Sequence, residues 1–558
     1  LADESMTVEE ASQRSLQEQA LTHLVMANSI ASLRLVANID WTTVVEKASV
    51  VEATLRRDPA RAYADMTRAT RDRYRHAVER IAKGSTLDEA SVAEEVVRVA
   101  GMAPRGSVGG DCRETHVGHY LIGDGRVAFE RTCGLRLDAA AHAREWIRAH
   151  PAASYGGALA LLLAGALALL LAPLVALPSS DRSTVWIIVA IGLAFLPATD
   201  AAVAILHQLV NLVIPASRLS RLDYEDGVPE RDRTVVVVPL LIDTVEAVAH
   251  ALDHIEVQYL ANRDRQIRFA ILGDYPDSTT EHAPGDDAII DAALEGIRLL
   301  NSVYGDAAAD VGASGAGESP FYFLHRARKW NAADSIWMGW ERKRGKLVDF
   351  NSLIAGHGEG FAVLEGDIPW LRAVRYVITL DSDTVLPRSA AAALIGTIAH
   401  PLNRPVYDAA AGRVVRGYGI LQPRVSVSLP SASESRFAAI YAGHPGVDPY
   451  TTAVSDVYQD LFDEGTFTGK GIYDVEVFRR ATEGRFPENS LLSHDLLEGT
   501  FARAGLVTDV EVFDDYPTRY LTSTRRMHRW IRGDWQLLRW LTPRVPGLAG
   551  ANRRPLSG

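Results

Sequence analysis

Twenty-two consecutive residues, Gly156–Leu177, carry no charge in a chain of 558. At about 1.5 Å per helical residue, such a run crosses a hydrocarbon core of roughly 30 Å. It is apolar on every face, whereas a helix in a soluble core normally keeps a polar stripe. A second apolar run starts at Thr184 and continues past Asp200 to Ile214, with a short turn around Pro178–Ser183 between the two. From Pro151 to Ser217 the only charged residues are Asp181, Arg182 and Asp200. A transmembrane hairpin over 151–217 is expected, and a buried hairpin of a soluble protein is the alternative. The run lies too far from the start of the chain to be a signal peptide. Arg144 and Arg148 precede the hairpin, Arg218 and Arg221 follow it, and the turn offers only Arg182 beside Asp181. That asymmetry places both long flanks on the cytoplasmic side. Pro197 is expected to break the second helix, leaving Asp200 and His207 at the interface or on an amphipathic segment lying along it.

A mean hydropathy of −0.01 conceals this block. Lys and Arg number 58 against 70 Asp and Glu, a net charge of −12, which argues against nucleic acid as the main partner. Two cysteines, Cys112 and Cys133, cannot build a disulfide scaffold or a four-thiolate zinc site.

The flanks differ in pattern. Residues 1–150 form a mainly helical region, with apolar residues at three- and four-residue intervals in Leu21–Ile39 and a charged helix over Tyr63–Ala82. A break is expected at Gly101–Gly110, a short irregular or hairpin element over His116–Glu130, and a last helix from Asp138 to Ala149. After the hairpin, Thr234–Leu241 (TVVVVPLL) is a continuous apolar run, the pattern of a parallel strand covered on both faces. A helix over Val245–Ala261 and strands at Ile267–Leu272 and Arg375–Leu380 follow. This alternation predicts a doubly wound α/β domain over about 230–545, with ligands beyond the carboxyl ends of the strands.

Acidic residues cluster at those ends. Asp381 and Asp383, in DSD, follow an apolar strand, where two carboxylates at i and i+2 can share Mg²⁺ or Mn²⁺ with phosphate oxygens. The alternative for DSD is an ordinary turn. Asp274 also follows a strand, with a turn before Pro276 as its alternative, and Asp495 in SHDLLEG is a ligand-site acid or a helix N-cap. The segment Arg525–Trp540 interleaves five arginines with Trp530, Trp535 and Trp540. Arginine forks suit a pyrophosphate and indole faces stack on sugars or bases, and the same helix would also rest on a membrane surface.

The series of a lone Asp, DxD, a later Asp and RxxRWxRG resembles the motif order of membrane-bound family-2-type glycosyltransferases such as cellulose and chitin synthases. Their TED is Ser493-His494-Asp495 here, and Arg526 replaces the Gln that opens their last motif; a literal QxxRW falls later, at Gln536–Trp540. The strings His325–Asn351, Thr466–Phe478 and His528–Leu538, with Asp58–Glu79 and His116–Arg126, more closely resemble the synthase portion of bacterial cyclic β-1,2-glucan synthases. That resemblance implies a GT-A-like transferase domain and an inverting transfer of glucose from UDP-glucose onto a growing β-glucan chain, cyclised by the full-length enzyme. It also implies a multi-pass protein of the bacterial inner membrane, in contact with lipid, with the transferase domain in the cytoplasm. Further transmembrane and phosphorylase-like regions would follow, with 546–558 a truncated tail. By residue, it implies Asp274 on the uridine side, Asp381 at the diphosphate, Asp383 on the metal and Asp495 as general base. Arg529 and Trp530, with Arg526, would hold the diphosphate and acceptor. Lys470 and Arg328 are further phosphate candidates, with structural cations as the alternative. A protein-bound intermediate needs an anchor, for which Tyr473 is the candidate and a buried structural tyrosine the alternative. A linear β-glucan synthase and an inactive membrane scaffold remain the competing functions.

Overall fold

In a computed structural model, residues 7–104, 113–175, 184–305, 319–358, 360–442, 456–541, 544–546 and 554–555 are described. The turn at 178–183, most of the break at 101–110, Cys112 and most of the tail lie outside these residues.

Eight strands form one mixed sheet. Its order is Ala504–Asp514, Ile420–Val427, Gly471–Asp474, Tyr376–Thr379, Thr234–Leu241, Ile267–Asp274, Phe321–Arg326, Val363–Glu365. The four strands from Tyr376–Thr379 to Phe321–Arg326 are mutually parallel. Gly471–Asp474 runs antiparallel to Tyr376–Thr379 and to Ile420–Val427, and Val363–Glu365 closes the far edge antiparallel. The expectation of a doubly wound parallel sheet therefore holds only for the centre. The added strands escaped the pattern because Gly471–Asp474 has four residues and Ile420–Val427 carries Pro423, features that weaken a strand signal.

Alternate residues of the central strands feed two cores, which is why their sequences read as unbroken apolar runs. Val236, Phe269, Ile271, Phe323 and Ile378 pack on one face, and Val235, Val237, Leu272, Leu324 and Val377 on the other. The first core continues into the N-terminal helices through Leu55, Met66, Tyr74 and Val78. The helical region is thus welded to the sheet domain rather than hung from it. Main-chain bonds reinforce the junction, Thr67 N–H to Arg221 O at 3.1 Å and Asp223 N–H to Asp65 O at 2.7 Å.

The element over His116–Glu130 is not a hairpin but two short helices, Val117–Leu121 and Arg126–Thr132. Gly118 permits this: a Cβ there would stand 2.1 Å from the Tyr74 hydroxyl of the neighbouring helix. The glycines that suggested a hairpin turn instead close the first helix, Gly123 N–H bonding Gly118 O at 3.0 Å.

Among the described residues, three helices are long and apolar enough to cross a membrane by length and composition: Val8–Asn38, Pro151–Pro173 and Val185–Val213, with mean hydropathies of 1.3, 2.1 and 2.0. The last two are the expected hairpin, as helices Pro151–Val175 and Thr184–Val213. Pro197 does not end the second helix, since a proline within an apolar helix bends it more readily than it stops it. Val8–Asn38 reads in sequence as an ordinary periodic helix, yet none of its residues is buried.

Candidate functional site

The chain runs outward from Thr234–Leu241 through Ile267–Asp274 to Phe321–Arg326, then returns to place Tyr376–Thr379 on the opposite side of Thr234–Leu241. The strand order reverses there, and a crevice opens beyond the carboxyl ends at such a point. Asp381 and Asp383 stand at this reversal. Their turn is closed by Thr384 N–H to Asp381 O at 3.2 Å and by Asp381 N–H to Thr384 Oγ1 at 3.3 Å. Val385 pairs with Phe513 through both main-chain groups, at 2.7 and 3.1 Å. That bridge brings Asp514, the last residue of the edge strand, beside the DSD turn, where its Oδ1 accepts from Thr384 Oγ1 at 2.7 Å.

Two ammonium groups serve these carboxylates. Lys343 Nζ lies 2.6 Å from Asp381 Oδ1 and 2.7 Å from Gly469 O. Lys470 Nζ lies 3.1 Å from Asp381 Oδ2 and also pairs with Asp514. Burial works to raise Asp381, but Lys343 and Lys470 outweigh it and hold its carboxyl well below the ordinary range. Asp383 moves the opposite way, pushed up by burial and by the carboxylates of Asp514 and Asp381. The carboxylates of Asp381, Asp383 and Asp514 gathered at one strand end are hard oxygen donors that suit a hard divalent cation such as Mg²⁺ or Mn²⁺, so the residues present fit one.

Asp495 opens helix Asp495–Ala502 and is its first helical residue; the N-cap is His494, with no side-chain cap bond. The N-cap alternative for Asp495 therefore fails. Gly469, at φ 86°, passes so close that a Cβ would stand 3.0 Å from Asp495 Oδ1. Only glycine allows that backbone and that approach. Because Gly469 O also accepts from Lys343, this one residue ties Asp495 to the Asp381 cluster.

The remaining expected residues separate. Asp274 is fully buried at the end of its strand. Arg326 grips it by two bonds of 2.8 and 2.7 Å, with Lys346 Nζ 3.3 Å away. With both oxygens paired and no solvent exposure, Asp274 fixes Arg326 and Lys346 instead of facing the crevice. Arg328 is likewise consumed, by Pro276 O, Glu281 O and Asp286, which favours its structural alternative. It borders a cavity of about 340 Å³ with Asp243, Thr244, Pro276 and Asp277, beyond the ends of two central strands. Tyr473 is fully buried, its hydroxyl donating to Asn351 Oδ1 at 3.0 Å and its ring stacked on Phe478 at 4.4 Å. The structure therefore withdraws Tyr473 from the crevice, because its side chain belongs to the core on one sheet face.

Arg526, Arg529 and Trp530 lie on helix Tyr520–Leu537. The Arg526 guanidinium sits 4.6 Å over the Trp530 ring, which is 42% exposed. The helix is moored next to Asp495: Gln536 Oε1 accepts from Leu492 N–H at 2.8 Å, and Gly533 packs on Ser493. The later copy of the motif is structural, since Trp540 is buried against Phe486 at 5.8 Å.

No protein-family model matches the chain. Over 550 residues, 98% of its length, it is 39% identical to cyclic beta-(1,2)-glucan synthase NdvB of Rhizobium meliloti (strain 1021). The chain matches a stretch of a cyclic β-(1,2)-glucan synthase. It spans 19% of that relative's length. At 98% of the chain, the glucan-synthase match extends over the apolar helices and the crevice, whose residues Lys343, Gly469, Glu498 and Asp514 motif reading passed over. For Asp514 a signal existed, because it is an acid at a strand end, as Asp381 is. For Lys343 none did, since only folding brings it to Asp381.

Proposed function

We propose that this chain is the glucosyl-transfer portion of a membrane-bound, inverting enzyme that builds β-1,2-glucan from UDP-glucose, with ring closure left to the full-length enzyme. The observation that carries the reading is the convergence of Asp381, Asp383, Lys343, Lys470 and Asp495 at the strand reversal, in a chain so similar to a glucan synthase. A GT-A-like domain has this layout, a nucleotide-side parallel sheet with its acids at the reversal. Three exposed apolar helices support lipid as a partner, with the crevice on the cytoplasmic side, where the sugar nucleotide is found.

In the transfer, Asp495 accepts the proton of the acceptor's 2-hydroxyl as that oxygen bonds to C1 of glucose. The C1–oxygen bond to UDP breaks on the opposite face, and its electron pair leaves with the diphosphate. Asp381 and Asp383 would hold Mg²⁺ or Mn²⁺, which would supply positive charge against that leaving group. Lys343 and Lys470 add fixed positive charge beside the leaving diphosphate. Arg526 and Arg529 approach the diphosphate and Trp530 offers the acceptor chain a stacking face, both from a helix moored at Ser493. The cavity beside Thr244 and Pro276 receives the nucleoside end of the donor.

The test is UDP release from UDP-glucose by membranes bearing the full-length enzyme. Chelation of divalent cations and Asp383→Asn should each abolish release. Indifference to the chelator would remove the metal assignment, and release from neither enzyme would remove the transferase reading.

A further inference from the structure

One turn of helix Asp495–Ala502 holds three polar atoms that make no hydrogen bond: His494 Nδ1, Asp495 Oδ1 and Glu498 Oε2. All three are shut off from solvent, and the residues His494 and Glu498 are 7% and 3% exposed. Among the described residues, the ionisable groups nearest these atoms are one another. His494 Nδ1 stands 3.0 Å from Glu498 Oε2 and 3.3 Å from Asp495 Oδ1. Two carboxylates this close and largely removed from water repel, and a positive charge between them relieves the repulsion. The ring of His494 occupies that place.

We propose that His494, pinned by Glu498, is a positioning residue of the transfer: as an imidazolium it fixes the Asp495 carboxylate and keeps it ionised to receive the acceptor's proton. The inference rests on Asp495 being the general base. Burial alone would discharge the ring, but Glu498 and Asp495 outweigh it and push His494 up to about 9. Asp495 is itself pushed up by burial, against the pull of His494 and Lys343. The charged groups that act most on the pair are Glu498 on the same helix, Lys343 on helix Arg342–Ile354 and Asp381 on the strand-end turn. The packed part of helix Tyr520–Leu537 presents Gly533 and Gln536, neither charged. With the imidazolium gone, Asp495 loses a cation 3.3 Å away. Its proton affinity then rises, and the base is silenced at a higher pH than before.

The experiment measures kcat and KM for UDP-glucose against pH, using the full-length enzyme in membranes. In His494→Gln the acidic limb of kcat should move to higher pH by about one unit, with KM little changed. His494→Lys restores a cation and should bring the limb back. A merely structural histidine would lower kcat evenly across pH, and an unmoved limb in His494→Gln overturns the inference. Should Gln not be accommodated, His494→Asn carries the same expectation. Asp495→Asn separates the two readings: full activity there would remove the base itself, whereas a dead Asp495→Asn with an unmoved His494→Gln limb removes only the role of His494. The same three ligand atoms lie within 4.8 Å of one another and could hold a metal ion. Manganese or zinc bound by Asp381→Asn/Asp383→Asn protein in equilibrium dialysis, and lost on adding His494→Gln, would make the ring a neutral ligand and overturn the imidazolium. No such binding supports it.

Discussion

Two buried carboxylate–imidazole pairs lie in this chain, built from the same residue types and finished in opposite ways. In the helical region, Asp58 Oδ2 accepts from Ala62 N–H, Tyr63 N–H and His116 Nδ1 at 3.0, 3.1 and 2.8 Å, and Oδ1 accepts from Val117 N–H at 3.0 Å. The other ring nitrogen of His116 meets the Tyr74 hydroxyl at 3.0 Å. Both carboxylate oxygens and both ring nitrogens of that pair are hydrogen-bonded. At the crevice, His494 Nδ1 stands within 3.0 Å of Glu498 and 3.3 Å of Asp495, and three atoms of the cluster are left without a hydrogen bond. A saturated pair fastens segments together and a deficient one remains available for a proton. Burial and residue type do not distinguish them; the count of partners does.

Substitution should separate the pairs most widely. Asp495→Asn is expected to cut kcat by about 10²–10⁴, the usual contribution of a general base, with little change in the unfolding midpoint. Asp58→Asn should do the reverse: breaking a buried, hydrogen-bonded pair costs about 3–5 kcal/mol, read by thermal unfolding, while the surviving folded enzyme keeps its kcat. Equal effects of the two on both readouts would erase the distinction.

Gly469→Ala comes next. It forces a Cβ to 3.0 Å from Asp495 Oδ1 at a φ of 86°. Backbone strain of roughly 1–2 kcal/mol and a displaced base should lower kcat about tenfold to a hundredfold, seen in the same UDP-release assay.

Acid titration gives a smaller contrast with a definite sign. Burial works to raise Asp58, but His116 and the backbone N–H groups outweigh it and hold it below the ordinary range. Its stabilisation is therefore full above the unfolded value, about 3.9, and is lost as pH falls through the lower folded value. Asp495 is raised, so its contribution is full below the unfolded value and is lost as pH rises. Unfolding midpoints of Asp58→Asn and Asp495→Asn against wild type should thus diverge in opposite directions across this range.

The smallest expected effect is at Tyr473. Tyr473→Phe removes one buried hydrogen bond to Asn351, worth about 1 kcal/mol, and should leave covalent carbohydrate labelling of the protein intact. Loss of labelling would return Tyr473 to the role of glucan anchor.

Much of this was legible before folding. The uncharged run at Gly156–Leu177, the Thr234–Leu241 strand and the helix at Val245–Ala261 follow from local composition and periodicity, which act within a few residues. The DSD and SHD acids were recognisable by motif, because short spacing carries them. What escaped depends on distance. Lys343 meets Asp381, and Asp514 meets Thr384, only through the sheet order. Asp274 looked like a ligand contact until Arg326 arrived from the neighbouring strand to consume it. Val8–Asn38 is legible as a helix, but its charges hide that it is also apolar and long enough to be a candidate span, which the fold leaves wholly exposed.

The central claim is that the crevice transfers glucose from UDP-glucose to the 2-hydroxyl of a growing chain, and NMR of the product tests it most directly. Membranes carrying the full-length enzyme and supplied with UDP-glucose should yield β-1,2-linked glucan, with one UDP released per glucose added. A β-1,4-linked product, or glucan formed without UDP release, would contradict the account.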